Sequence, residues 1–385
     1  MKCEWQKITI GNLGTIVTGK TPTTKRPEYW GEKVPFITPK DLQGTKHIFH
    51  TERFITDKGM ESVKGSVLPP NSVCVSCIGN IGYVGMVTKK CISNQQINSI
   101  VPNENYSSDF VYYLMRSLWP FFKNYEGQST TLSILNKTQF SKIEIWVPEL
   151  ETQKKIAAVL STLDDKIELN NKISENLQQH ATALFDKLCN DTNDRCPFTE
   201  IIQILGGGTP KTKESSYWNG NIPFFTPKDV GSPYTLTTEK TITEEGLAHC
   251  NSHLYPQNTV FVTARGTVGK VGMAGVPMAM NQSCYALVGK ETHQLLVYFY
   301  TLKVVNRLKH KASGAVFDAI TTRDFESEEI TKLSDSAAET FLNVAKPIYE
   351  AILSNCVENL RLAALREELL PRLMSGEVDV SNLQV

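Results

Sequence analysis

The chain is written twice. Thr21-Pro22, Tyr29-Trp30, Pro35 and Thr38-Pro39-Lys40-Asp41 return as Thr209-Pro210, Tyr217-Trp218, Pro223 and Thr226-Pro227-Lys228-Asp229, each pair 188 residues apart. Gly79, Gly82, Gly85-Met86 and Asn94-Gln95 return as Gly266, Gly269, Gly272-Met273 and Asn281-Gln282 at an offset of 187. Gly127 pairs with Gly314, Phe140 with Phe325, Ile145 with Ile330, and Glu175-Asn176-Leu177 with Glu358-Asn359-Leu360 at slowly shrinking offsets, as small loop deletions would produce. The period is far longer than the roughly 20–50 residues of a solenoid unit. Each copy is domain-sized. Two copies of one module predict a pseudo-twofold molecule, and duplex DNA is the commonest object with matching symmetry.

At 385 residues there is room for two or three domains. No apolar run approaches the roughly 18 residues of a membrane span. The first residues, Met1-Lys2-Cys3-Glu4-Trp5-Gln6, lack a signal-peptide apolar region. Nine cysteines at irregular spacing suit a reducing cytoplasm better than a disulfide framework. The net charge of zero argues against a crude polybasic binder, but charge is unevenly spread. Residues 1–148 hold 17 Lys and Arg against 11 Asp and Glu, whereas residues 196–335 hold 13 of each. The segments 149–195 and 336–385 are each net −3. Basic or neutral modules joined by acidic helices suit modules that meet phosphate and helices that meet protein.

Residues 1–148 read as short strands and turns. Ser72-Val73-Cys74-Val75-Ser76, Val34-Pro35-Phe36-Ile37 and Val260-Phe261-Val262 are β-rich runs punctuated by Gly and Pro. One helix is expected from Asp109 to Phe122 and its counterpart from Leu295 to Leu308, so each module is α+β rather than alternating βαβ. Residues 151–188 differ. Ile156, Leu160, Leu163, Ile167, Leu177, Ala181, Leu184 and Leu188 fall on a 3.5-residue ladder whose middle rungs are Asn170 and Ser174. A helix of that span would be about 57 Å long. A second long helix is expected from Phe341 to Leu373, with Leu342, Ile348, Ile352, Val357, Leu360 and Leu365 on its seam and Pro347 in a first turn or at a kink.

Several motifs have plain structural readings. Cys74-x-x-Cys77 has Phe261 and Ala264 at its repeat positions and no second ligand pair, which predicts packed thiols rather than zinc or redox chemistry. Arg265-Gly266-Thr267-Val268-Gly269-Lys270-Val271 resembles a phosphate-binding loop only superficially: Ala264 and Val271 replace a required Gly and Ser/Thr. In Thr-Pro-Lys-Asp, Asp41 and Asp229 are expected to cap a turn, while Lys40 and Lys228 are placed to meet phosphate. Tyr29-Trp30 and Tyr217-Trp218 read as core rather than stacking platforms. No Asn-Pro-Pro-Tyr or Asp-Pro-Pro-Tyr string, complete Walker A or repeated catalytic set is present, so no catalytic residue can be named.

These residues resemble the specificity subunit of type I restriction-modification systems, over essentially the full chain. The resemblance is carried by Gly19-Lys20-Thr21-Pro22 through Thr38-Pro39-Lys40-Asp41, by Ile78-Gly79-Asn80-Ile81-Gly82 and by Asn94-Gln95-Gln96. It continues through Ile145-Trp146-Val147-Pro148-Glu149-Leu150, Gln153-Lys154-Lys155-Ile156-Ala157 and Leu163-Asp164. It implies two similar mixed α/β target-recognition domains joined by two long antiparallel coiled-coil helices in pseudo-twofold arrangement. The domains would be residues 1–150 and 191–335, the helices 151–190 and 336–385. It further implies a non-catalytic, cytoplasmic chain that reads double-stranded DNA, one half-site per domain, and binds no membrane. Two modification (methyltransferase) subunits and restriction (endonuclease and translocase) subunits would be its partners. S-adenosylmethionine, ATP and Mg would belong to those subunits, and no cofactor or metal to this chain. The second copy departs from the pattern after Ile330, where Thr331-Lys332-Leu333-Ser334-Asp335 replaces Pro-Glu-Leu.

By residue type, the candidates for DNA contact are Lys20, Lys40, Ser76, Asn80, Lys123, Gln128, Lys211, Lys228, Arg265, Lys270 and Lys309. The candidates for subunit docking and helix pairing are Gln153, Lys154, Ile156, Leu160, Leu163, Ile167, Asn170, Leu177, Leu184 and Leu360. The alternative is a non-catalytic scaffold of two protein-binding modules whose whole function is the coiled coil.

Overall fold

The structure, a computed structural model, describes residues 5–127, 132–231, 233–311 and 319–383. The chain divides into two compact units, one of Met1–Leu169 with Asn359–Val385, the other of Asn170–Glu358.

The first unit is built on a five-stranded sheet in the order Gly14–Thr18, Ile97–Pro102, Val73–Ser76, Val84–Val87, His47–Ile48. All neighbours are antiparallel except the last pair. The second unit repeats it as Ile202–Gly206, Cys284–Gly289, Val260–Thr263, Val271–Ala274, Tyr234–Thr235, with the same directions. The central strands are apolar because both their faces are covered: Val73, Cys74, Val75 and Ser76 are all buried, as are Val260, Phe261, Val262 and Thr263. A smaller sheet lies beside each. In the first unit it runs Arg53–Ile55, Trp30–Ile37, Cys91–Ser93, Val67–Leu68; in the second, Lys240–Ile242, Trp218–Phe225, Ala279–Met280. Even the bulge is copied: Trp30 and Val34 both register on Ile55, and Trp218 and Ile222 both on Ile242.

The helix behind the large sheet differs between copies. The single helix expected over Asp109 to Phe122 is two, Ser108–Ser117 and Trp119–Gly127, parted at Leu118. Pro120 lacks the N–H that would bond the Arg116 carbonyl, so it is tolerated only in the first turn of a new helix. Arg307 holds that position in the second copy, and the helix Gln294–Lys311 is unbroken.

The long helices are Leu150–Asn190 and Asp335–Met374. Pro347 is therefore 12 residues past a helix start and not in a first turn. Each unit takes part of both helices into its core. Ile156, Leu160, Leu370, Leu373 and Val380 pack with Phe110, Tyr113 and Phe140 in the first. Phe185, Phe341, Tyr349 and Ile352 pack with Val297, Phe299 and Tyr300 in the second. The expected seam fails at Leu360 and Leu365, each 43% exposed. The inward ladder instead steps through Ile352, Cys356, Asn359, Ala363, Arg366, Leu370 and Leu373, so small and polar side chains take the inner rungs. Leu163, Ile167, Leu177 and Leu184 are half-buried along the first helix.

Candidate nucleic-acid interface

The repeated motifs converge at one end of each large sheet. In the first unit, Gly19 N donates to Ile97 O, Asn94 N to Ile37 O and Cys77 N to Gln96 O, while Thr21 Oγ1 donates to Gln95 Oε1 at 2.6 Å. These bonds gather the loops around Lys20, Lys40, Asn80 and Gln95. Gly19 must be glycine, because a Cβ there would lie 2.0 Å from Asn94 O. The second unit repeats two of these backbone bonds, Asn281 N to Phe225 O and Ala264 N to Ser283 O, and the side-chain bond, from Thr209 Oγ1 to Gln282 Oε1, while Gly208 N bonds Met280 O there.

Asp41 closes its turn as expected: Oδ2 accepts from Thr38 N at 2.7 Å and Thr38 Oγ1 at 2.8 Å, and Oδ1 from Glu52 N at 3.0 Å. Asp229 does the same for Thr226 and Glu239. That turn holds Lys40 and Lys228 in solvent, with Glu52 and Glu239 loosely opposite at 3.6 and 3.8 Å. Trp30 and Trp218 are half-buried, edge-on to Phe36 and Phe224, with Arg53 stacked 3.9 Å over the Trp30 ring. They are packing residues. Cys74 and Cys77 are also packing residues: burial pushes both thiols up to about 12.

The DNA-contact candidates separate into groups. Lys20, Lys40, Asn80, Lys211, Lys228, Arg265, Lys270 and Lys309 are exposed. Ser76 is a correction. It is fully buried, and its hydroxyl donates to Asn80 O at 2.7 Å and accepts from Tyr83 N at 2.9 Å, so it shapes the glycine loop and reads nothing. Lys123 is engaged by Glu126 at 2.7 Å and lies 4.3 Å over the Trp119 ring. Gln128 lies outside the described residues. A groove lies beside each glycine loop, and the one in the second unit brings Lys270 and Lys309 together. The first, about 570 Å³, is lined by Gly82, Tyr83, Arg116, Trp119 and Glu367; the second, about 500 Å³, by Gly231, Gly269, Lys270, Asn306 and Lys309.

On the long helices, Ile156 and Leu160 are core residues and Lys154 is exposed beside Glu151. Gln153 corrects a docking expectation. It is buried, its Nε2 donating to Pro148 O at 2.9 Å and its Oε1 accepting from Ser107 N at 3.1 Å, so it anchors the helix behind the sheet. The polar rungs of the first helix have partners on the second: Asn170 bonds Glu358, and Ser174 Oγ accepts from Asn355 Nδ2 at 3.2 Å.

Three features escaped sequence reasoning. Lys46 is buried, bonded to Ser161 Oγ at 2.8 Å and Asp109 at 2.5 Å. His47 meets Glu168 through both its backbone N–H and its ring, at 2.9 and 2.8 Å. Buried Asp164 accepts from Tyr113 Oη at 2.7 Å and pairs with Arg366. Burial alone would lower the Arg366 guanidinium's affinity for its proton, but Asp164 and Glu367 raise it above the ordinary value. A lone Lys in an uncharged stretch is the signal that could have found Lys46. The others need tertiary contacts to be seen.

Among the described residues no helix is long and apolar enough to cross a membrane. The family model described as the type I restriction modification DNA specificity domain matches residues 2–179 and 192–331. The type I restriction enzyme MjaIX specificity subunit of Methanocaldococcus jannaschii is 26% identical over 410 residues, covering 99% of this chain and 95% of that one. The HindI specificity subunit of Haemophilus influenzae is 35% identical over 178 residues, 44% of this chain and 39% of that one. Among solved structures, the type I restriction-modification S subunit from M. genitalium aligns over 96% of both chains with a TM-score of 0.54 at 17% identity, which shows a shared fold.

Proposed function

The chain belongs to the family of type I restriction-modification DNA specificity domains, and on that premise we propose that it recognises a bipartite DNA target, one half-site to each repeat. The observation that carries this reading is the duplicated sheet end. The same loops converge twice, sharing the bonds Asn94 N to Ile37 O with Asn281 N to Phe225 O and Cys77 N to Gln96 O with Ala264 N to Ser283 O, while the side chains they present differ. A shared scaffold with unlike loops reads two unlike half-sites. The continuous long helices hold the length of the unread spacer between them.

Docking of two modification subunits, and of restriction subunits, is assigned to the long helices. Leu169, Ile173, Leu360 and Leu365 are apolar side chains left in solvent there, which supports a protein-covered surface. Catalysis, S-adenosylmethionine, ATP and Mg are assigned to those partners, with this chain supplying the address.

The test is to call methylated motifs in a host that carries this chain and its modification subunit. Two short specific blocks separated by several unread base pairs are expected, and a short continuous motif would refute the reading. A salt series of gel shifts separates it from the scaffold alternative, because phosphate neutralisation makes affinity fall steeply with salt.

A further inference from the structure

We infer that the groove of the second repeat is a seat for one backbone phosphate of the bound DNA, and that in the first repeat the Glu126 carboxylate fills the same seat from within. The inference rests on the DNA-recognition reading and names one of its contacts. The two glycine loops have the same backbone. Gly79 and Gly82 have φ of 76° and 99°, Gly266 and Gly269 of 84° and 76°, values that favour glycine. In the first loop Ile81 N donates to Glu126 Oε2 at 3.2 Å, and Lys123 Nζ meets the same oxygen at 2.7 Å. The loop amide there already holds an anion, supplied by the chain itself.

The second loop has the amide and the cations but not the carboxylate. Val268 is the residue equivalent to Ile81, and among the described residues its N–H has no hydrogen-bond partner. By sequence, Ser313 stands where the first copy has Glu126. Against the second glycine, buried Phe122 is replaced by Lys309, whose ammonium nitrogen lies 3.4 Å from where a Cβ on Gly269 would be. Tyr83 is replaced by Lys270. Both lysines are exposed, line the groove, and have no acidic partner among the described residues. An unpartnered N–H on a loop whose groove is lined by two lysines suits an oxyanion, since charge-assisted hydrogen bonds are stronger than neutral ones.

The experiment measures DNA affinity against salt for the complex of the full chain with its modification subunits. Lys270→Ala with Lys309→Ala is expected to lower the slope of log K against log [salt] by about 1, equally on target and random DNA, at an unchanged melting temperature. Glu126→Gln is expected to raise affinity at low salt and steepen the slope, because it removes the negative charge that neutralises Lys123 beside the Ile81 amide. A double variant with the wild-type slope, or a Glu126→Gln variant that loses affinity, overturns the inference. So does inorganic phosphate that raises the melting temperature of the wild type but not of the double variant while the DNA slope stays unchanged, since the seat would then serve a free anion. A wild-type complex that bound no DNA would defeat the broader reading instead.

Discussion

Asn170 Nδ2 donates to Glu358 Oε2 at 2.7 Å, so a buried amide on the first long helix meets a carboxylate on the second. The polar middle rung of the ladder is a contact between the two helices. Replacing Asn170 with Leu removes a donor from Glu358, and hydrogen bonds to charged groups are worth about 1.5–3 kcal/mol. Asn170→Leu is therefore expected to lower the melting temperature. A polar residue on a helix seam can fix the register of the pair, which calling the methylated motif of the same variant tests: more than one spacer length is expected, and a single unchanged length would show that Asn170 sets no register.

Asp164 and Arg366 offer a cleaner measure of a buried charge. Arg366→Met leaves the Asp164 carboxylate buried with the Tyr113 Oη hydrogen bond but without its cation, and breaking such a pair costs about 3–5 kcal/mol. Adding Asp164→Asn removes the charge and keeps an acceptor for Tyr113. The double variant is expected to melt above the Arg366→Met single, and denaturant titration of all three proteins checks it.

Glu328 predicts a pH dependence in the second unit. Burial pushes its carboxyl up, but hydrogen bonds from Lys311 and from Arg307 Nε at 2.9 Å outweigh that and hold it below its ordinary 4.5. A depressed carboxyl contributes stability that is present above the unfolded value and is lost as pH falls through the folded one. Glu328→Gln is expected to cost about 2 kcal/mol at pH 7. The gap from wild type should narrow from about pH 4.5 downward, followed by melting curves across the range.

Cys74, Cys77 and Cys284 should resist thiol reagents in the native protein, because burial pushes each up to about 12 and covers the sulfur. At pH 8 they are expected to be labelled only in denaturant, as peptide mass mapping would show.

The spacer role is tested by length. Four residues added to each long helix near Asn170 and Glu358 lengthen it by about 6 Å, with about 40° of rotation beyond a full turn. The unread gap in the methylated motif is expected to grow by one or two base pairs at ~3.4 Å each. An unchanged gap in an active variant would count against the ruler.

The duplication, the long helices and the capping role of Asp41 and Asp229 were legible in the sequence because they depend on local spacing. Ser76 and Gln153 misled because their polar side chains were read as outward-facing, while each satisfies backbone groups inside its own unit. Leu360 and Leu365 misled because leucine was taken to mark the seam, and the inward ladder runs through Asn359, Ala363 and Arg366 instead. The partners of Lys46 and His47 could not be found in advance, since Ser161 and Glu168 lie more than 110 residues away in the chain.

The division of the chain also orders its birth on the ribosome. Residues 170–358 form one unbroken stretch, so the second unit can close as soon as they have emerged. The first unit begins earlier and finishes last, because its core waits for Leu370, Leu373 and Val380, and Lys155 for the Ser381 carbonyl at 2.5 Å. Nearly half the polypeptide is thus made while the amino-terminal sheet still lacks its final packing partners.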